Sequence, residues 1–90
     1  MKDPVTVSKA KNLLEKALSQ QESYLPAVYH LADIYEHEMN IESAIELLEK
    51  QTEINPTYKI HRMLGDLWAR IHNAEKALDH YAIALKWVNF

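Results

Sequence analysis

Three side chains on one helical stripe, His30, Asp33 and His37, are the nearest approach in this sequence to a set of metal ligands. Imidazole and carboxylate groups spaced three or four residues apart on a helix can bind zinc. A closed zinc site needs four ligands, and the sequence offers no fourth partner to these three. We interpret them as ordinary surface residues and predict no metal and no cofactor.

No pattern typical of catalysis accompanies them. The chain has no cysteine, no glycine-rich phosphate loop and no nucleophile elbow. His61 lies where a helical repeat places a buried aromatic ring, so we expect a packed, hydrogen-bonded imidazole, whereas His72 and His80 have no partner pattern. Helical spacing places the acidic candidates on a stripe that faces water: Glu42, Glu46, Glu49 and Glu53. We predict that the chain is not an enzyme.

Composition narrows the class of partner. Ninety residues with 48% hydrophobic content allow one small domain, and the net charge of -3 argues against nucleic acid or an anionic membrane as a partner. No apolar run approaches the roughly 20 residues that span a bilayer, and no basic-then-apolar leader opens the chain. The absence of cysteine suits the cytosol or the nucleus. We predict an intracellular protein.

Apolar residues recur with the period of an α-helix in five segments, and no segment alternates with period two. Asp3, Asn40 and Asn73 are good N-caps, Pro26 suits the first turn of a helix, and Pro56 ends one. The fourth helix is predicted to run over 58–71. On the third helix, the residues predicted to face inward are Ile41, Ala44, Ile45 and Leu48.

The helices repeat, because similar residues recur 34 or 33 positions apart. The matching pairs are Ala10 with Ala44, Leu14 with Leu48, Glu22 with Pro56, Ala32 with Gly65, Tyr35 with Trp68, Ala44 with Ala77, and Leu48 with Tyr81. This period is typical of the tetratricopeptide repeat, in which each unit is a helical hairpin of about 34 residues. We predict an all-α superhelix of five antiparallel helices: a partial repeat over 4–22 and full repeats over 25–57 and 58–90.

Gly65 is the only glycine, and a glycine inside a helix costs about 1 kcal/mol against alanine. We expect that its missing side chain leaves room for Tyr81 on the next helix. The residues predicted to carry repeat packing are Leu14, Ala17, Leu31, Ala32, Tyr35, Ala44, Leu48, Pro56, Leu64, Gly65, Trp68, Ala77, Tyr81 and Ala84.

Both ends of the predicted array lack a covering helix. The uncovered apolar residues are Ala10, Leu14 and Ala17 at one end and Trp87, Val88 and Phe90 at the other. Soluble arrays need a polar outer face on their terminal repeats. We therefore expect a fragment of a longer array that can self-associate through its bare ends.

Beyond the generic repeat, the sequence resembles the C-terminal repeats of the subunit seven family of the anaphase-promoting complex, or cyclosome. Three runs carry the resemblance: Asp3-Pro4-Val5-Thr6 with the helix to Leu18, then residues 61–66 (HRMLGD), then residues 79–85 (DHYAIAL). It implies a non-catalytic scaffold subunit of a large ubiquitin ligase that drives mitotic exit, in the nucleus and cytoplasm and at the mitotic spindle. Implied partners are other tetratricopeptide-repeat subunits and helical or tail-like segments held in the inner groove.

The predicted binding surface is the concave groove, lined by first-helix residues that point away from the second helix. These residues are Tyr29, His30, Asp33, Glu36 and His37 in one repeat and Lys59, Arg62, Met63, Asp66 and Arg70 in the next. Their mixed charges can hydrogen-bond a helical or extended peptide. The alternatives are a solvated face of i,i+4 ion pairs, and a co-chaperone that holds a carboxylate tail, which the negative charge of Asp33 disfavours.

Overall fold

The computed structural model describes residues 3–87, and every regular element in that range is an α-helix. The helices are α1 Pro4–Gln20, α2 Leu25–His37, α3 Ile41–Ile54, α4 Tyr58–Arg70 and α5 Ala74–Lys86. The predicted all-α tetratricopeptide-repeat class is confirmed, although α4 ends one residue before the predicted position. Within 3–87, no helix is both long and apolar enough to cross a membrane.

Four helices begin after a residue whose side chain accepts a backbone N–H from the first turn. Asp3, Asn40, Thr57 and Asn73 each accept the N–H three residues further on, at distances from 3.1 to 3.4 Å. Each bond satisfies one amide that has no partner within its helix. Three of these caps were predicted from the sequence, whereas Thr57 was not.

The turns after α2 and α4 share one backbone conformation. Met39 and His72, 33 residues apart, have φ values of 62° and 64°, in the left-handed region. In each turn the N–H of the following asparagine donates to the carbonyl five residues earlier, at 2.8 and 2.9 Å. This is the closure that glycine usually provides at a helix end, achieved here with residues that have a side chain.

The described residues divide into two compact units, one ending at Ala44 and the other beginning at Ile45. In the first unit, α1 buries no residue, whereas α2 buries Ala27, Val28, Leu31 and Ala32. Polar contacts at the edges join α1 to α2: Lys11 pairs with Glu38 at 3.0 Å, and the Tyr35 hydroxyl donates to Glu15 at 2.6 Å.

The second unit is closed by tight packing between α4 and α5. A Cβ atom placed on Gly65 would lie 2.6 Å from Cδ1 and 2.8 Å from Cζ of Tyr81. Carbon atoms do not approach so closely without displacement, so the tyrosine ring occupies the space of the missing side chain. The contact predicted between Gly65 and Tyr81 is confirmed. Leu64 beside the glycine is fully buried, as are Leu48 and Ile60.

Helix α3 follows the predicted facing with one exception. Its inward residues are buried as expected, namely Ile41, Ala44, Ile45 and Leu48. Glu42 and Glu46 are exposed as predicted, whereas Glu49 meets the prediction only in part: its side chain is 38% exposed, but its carboxylate also accepts hydrogen bonds from Trp68 and His80. The predicted apolar end of the chain falls mostly outside 3–87: Trp87 is half exposed, and Val88 and Phe90 lie beyond the described residues.

Candidate functional site

The exposed face of α4 carries a charged cluster that α5 helps to hold. Nη1 of Arg62 lies 3.4 Å from Oδ2 of Asp66, one turn further on, and both side chains are about half exposed, at 46% and 50%. The other carboxylate oxygen, Oδ1, accepts a hydrogen bond from the hydroxyl of Tyr81 on α5. Asp66 is therefore oriented from two sides, so this part of the surface is ordered before any partner arrives.

The same hydrogen bond stabilises the protonated phenol of Tyr81. Donation to Asp66 raises the pKa of Tyr81 above its ordinary value, burial and the negative charge of Asp66 act in the same direction, and Arg62 opposes them. At neutral pH Tyr81 is therefore a hydrogen-bond donor to Asp66. The carboxylate retains accepting capacity for a partner, because each oxygen carries two lone pairs.

The remaining predicted residues of α4 make its surface basic. Lys59 and Arg70 are exposed near the two ends of the helix, and Met63 is half buried between them. Together with Arg62 they give the helix three cations against the single carboxylate of Asp66. Cations of this type can pair with acidic groups, and Met63 offers apolar contact between them.

On α2, the predicted residues form a smaller polar surface in the first unit. Nδ1 of His37 lies 2.8 Å from the backbone carbonyl of Asp33 and 3.5 Å from its carboxylate Oδ1. His30 is exposed and Tyr29 is half buried. Across residues 3–87, no group of three or more histidine, aspartate and glutamate side chains is arranged to hold a metal ion.

A second polar cluster, missed by the sequence analysis, joins three helices of the second unit. Oε2 of Glu49 on α3 lies 3.0 Å from Nε1 of Trp68 on α4 and 3.1 Å from Nε2 of His80 on α5. Nδ1 of His80 lies 3.0 Å from Nδ1 of His61, whose residue is only 5% exposed. The packed, hydrogen-bonded imidazole predicted for His61 is confirmed, whereas no role was predicted for His80, whose contacts with His61 and Glu49 are visible only in the structure.

The signal for this cluster was its position beside the buried stripes. Glu49 follows Leu48, and His80 precedes Tyr81, so both lie at the edge of the apolar stripe of their helices. Residues at such an edge can reach the neighbouring helix. Helical spacing alone does not show whether they turn toward that helix or toward water, which is why these contacts were not predicted.

The first unit contains an open groove between α1 and α2, with a volume of about 570 Å³. Apolar side chains of α1 form much of its wall, and polar residues of both helices line the rest. The lining residues are Asp3, Thr6, Val7, Ala10, Leu13, Leu14, His30, Asp33 and Ile34. Ala10 and Leu14 are thus partly open to solvent.

Three features together define a helical-repeat module for protein interaction. They are the repeated caps and turns, the small and bulky residues matched across a helix pair, and the charged, exposed face of a helix. The family model described as "Tetratricopeptide repeat" matches residues 7–67. The chain belongs to this family.

Among curated proteins, the chain is similar to "Anaphase-promoting complex subunit 7" of Homo sapiens and of Mus musculus. It is 39% identical to each over 85 residues, which cover 94% of this chain and 15% of the relative. The chain therefore spans about 15% of the length of these relatives. The resemblance predicted from the sequence is confirmed at the level of similarity.

Proposed function

We propose that this chain is a non-catalytic, intracellular scaffold module that binds other proteins through the exposed face of α4. The observation that carries the proposal is the cluster of Arg62, Asp66 and Tyr81, in which a surface carboxylate is oriented from two helices within a basic face. Oriented charges on a rigid helix lose little side-chain entropy when a partner docks. Such a surface is suited to binding.

The expected ligand is a helical or extended segment that carries acidic side chains. Arg62 and Arg70 provide planar, multidentate donors for carboxylates, and Lys59 adds a third cation at the start of the helix. Asp66 accepts from a backbone N–H or a side-chain donor of the same segment. The polar residues of α2 at Tyr29, His30, Asp33, Glu36 and His37 are proposed as a further contact surface.

Similarity to subunit 7 of the anaphase-promoting complex supports a more specific role. We propose that the chain serves in a tetratricopeptide-repeat scaffold of a ubiquitin ligase complex, in the nucleus and cytoplasm, where it positions other subunits during mitosis. Other repeat subunits are then partners alongside the bound segments. The proposed organisation remains a partial repeat over 4–22 followed by full repeats over 25–57 and 58–90.

Charge reversal on α4 tests the binding surface. The chain carrying Arg62→Glu and Arg70→Glu should capture subunits of the anaphase-promoting complex from mitotic cell extract at least about tenfold less than the unchanged chain, because two attractive contacts become repulsive. Quantitative mass spectrometry of the captured proteins measures the effect. The circular dichroism spectrum should be unchanged, because both arginines are exposed.

The matched control reverses two exposed lysines elsewhere, Lys9→Glu and Lys16→Glu on α1, with the same change in net charge. Capture by this control should match the unchanged chain. Equal capture by all three proteins would reject the α4 surface. A peptide that binds only with a free terminal carboxylate, and not when amidated, would instead support the co-chaperone alternative.

A further inference from the structure

The polar cluster of the second unit contains two histidines that share one hydrogen bond. The rings of His61 on α4 and His80 on α5 are stacked with centroids 5.3 Å apart and an interplanar angle of 30°. Their Nδ1 atoms are 3.0 Å apart, which is the length of a hydrogen bond. Glu49 on α3 accepts at the far side of His80. The number of protons on the two imidazole rings therefore decides whether the contact between α4 and α5 is favourable.

In the neutral state the contacts define both tautomers. Oε2 of Glu49 is an acceptor, so Nε2 of His80 must carry the proton that it donates. A neutral imidazole then has a bare Nδ1, so His80 accepts at that atom and His61 must donate from its own Nδ1. A single proton lies between the two rings, and every polar atom in the chain of contacts is matched.

One added proton can be accommodated, but a second cannot. When the pair has taken up one proton, His80 carries a proton on both nitrogens and donates to Glu49 and to His61. His61 then accepts at Nδ1 and carries its own proton on Nε2. A second proton places two N–H groups against each other at 3.0 Å and two cations on rings 5.3 Å apart. Burial of His61, followed by the positive charge of His80, lowers the pKa of His61, while Glu49 opposes the shift.

We propose that the His61–His80 pair is an acid-sensitive contact, which holds α4 against α5 while it carries at most one added proton and separates when it takes a second. The groups that face the pair are Glu49 from α3 and the Trp68 indole from α4, and Lys76 of α5 places Nζ 4.4 Å above the indole ring. Imidazole is the side-chain group whose ordinary pKa lies in the mildly acidic range, and two imidazoles face each other in this contact.

The direction of the pH effect follows from the lowered pKa of His61. The unfolded chain binds a proton at this residue near pH 6.5, whereas the folded chain resists it until lower pH. The stabilisation is therefore fully present above about pH 6.5 and is lost as the pH falls toward the folded value. The loss reaches at most about tenfold in the folding equilibrium constant for each pH unit below 6.5, since one proton is involved.

Regulation of binding would follow because Arg62, Asp66 and Tyr81 lie on the same two helices as the pair. Separation of α4 from α5 would remove the hydrogen bond that orients Asp66. This consequence rests on the proposed function. The acid-sensitive contact itself does not, because it is measured on the chain without a partner.

Urea denaturation of the 90-residue chain at about pH 7.5, 6.5 and 5.5 provides the first test. The denaturation midpoint should fall with pH in the unchanged chain. His61→Phe keeps a buried aromatic ring that cannot titrate, so its midpoint should vary much less. His30→Gln is the matched control, because it removes an exposed histidine of the first unit and should retain the full pH dependence. Equal pH dependence in all three proteins would overturn the proposal.

Nitrogen-15 NMR of the imidazoles provides a second test that does not depend on stability. At about pH 7.5 we expect the proton on Nδ1 of His61 and on Nε2 of His80. Spectra in which both rings are doubly protonated while Gly65 and Tyr81 remain in contact would contradict the proposal. Capture of partners at about pH 7.5 is a separate measurement: its absence at that pH rejects the proposed function, while the NMR result still decides whether the histidine pair is acid-sensitive.

Discussion

Helices α1 and α5 carry the same pattern of small and bulky residues 67 positions apart, yet α5 is the more deeply buried of the two. In α5, Ala77 and Ala84 are 4% and 3% exposed, and Tyr81 between them fills the space beside Gly65. The corresponding residues of α1, Ala10, Leu14 and Ala17, are partly exposed. A helical stripe therefore stabilises the fold only where a neighbouring helix presents the complementary shape.

The two helices are also held by different kinds of interaction. α1 is joined to α2 by contacts at its edges, including the exposed ion pair of Lys11 with Glu38, and such pairs contribute about 0 to 1 kcal/mol. α5 is joined to α4 by the contact of the Tyr81 ring with Gly65 and by the part-buried pair of His61 and His80. We therefore expect α1 to open locally before α5 does.

The largest difference is expected between two leucines 34 residues apart. Leu48→Ala should lower the free energy of unfolding by about 2 to 5 kcal/mol, because Leu48 is fully buried and its removal leaves a cavity. Leu14→Ala should cost less than about 1 kcal/mol, because Leu14 lines an open groove. Urea denaturation of both variants measures the contrast, and equal losses would show that α1 is packed as well as the second unit.

Replacement of the glycine should have the next largest effect. Gly65→Ala places a methyl group too close to the ring atoms of Tyr81. This overpacking should destabilise the chain by about 1 to 3 kcal/mol. Adding Tyr81→Leu should recover part of the loss, because the tyrosine ring no longer occupies the space that the new methyl group needs.

The control for this experiment is Ala69→Leu, which adds bulk to an exposed position of the same helix. It should change the free energy of unfolding by less than about 0.5 kcal/mol, since surface substitutions away from special features have small effects. If Tyr81→Leu failed to rescue Gly65→Ala, contact with the tyrosine ring would not be the reason for the glycine.

The smallest expected effect is at the two left-handed turns. We expect Met39→Gly and His72→Gly each to stabilise the chain by up to about 1 kcal/mol, because glycine adopts positive φ without the steric cost of a side chain. The greater entropy of glycine in the unfolded state opposes this gain and limits its size. Ile71→Gly is the control, since Ile71 has a φ of -98° and gains nothing from glycine. Thermal denaturation should rank both turn variants above this control; the reverse order would show that neither turn is strained.

Much of the fold could be predicted from local patterns in the sequence. The start of α1 at Asp3-Pro4, the N-cap at Asn73 and the end of α3 before Pro56 depend on backbone amides within one turn, so residue type is sufficient to predict them. The contact of Gly65 with Tyr81 was also predictable, because an unexplained glycine inside a helix implies a close neighbour. The positive φ at Met39 and His72 carried no such signal, since neither residue is glycine.

Only some of the polar contacts could be predicted from the sequence. The pair of Arg62 with Asp66 follows from helical spacing, whereas the hydrogen bonds of Glu49 with His80 and of Asp66 with Tyr81 do not. These bonds depend on the rotation of one helix about its axis relative to the next and on the reach of each side chain.

The sequence by itself determined five helices, their period of 33 to 34 residues and the stripes of small and bulky residues, because these properties arise within single helices and recur along the chain. Only the tertiary structure decided which edge residues turn inward, where an acidic side chain meets a histidine pair, and which stripe is covered. Those outcomes depend on distances between helices that are remote in sequence, and a change of about one ångström there makes or breaks a hydrogen bond.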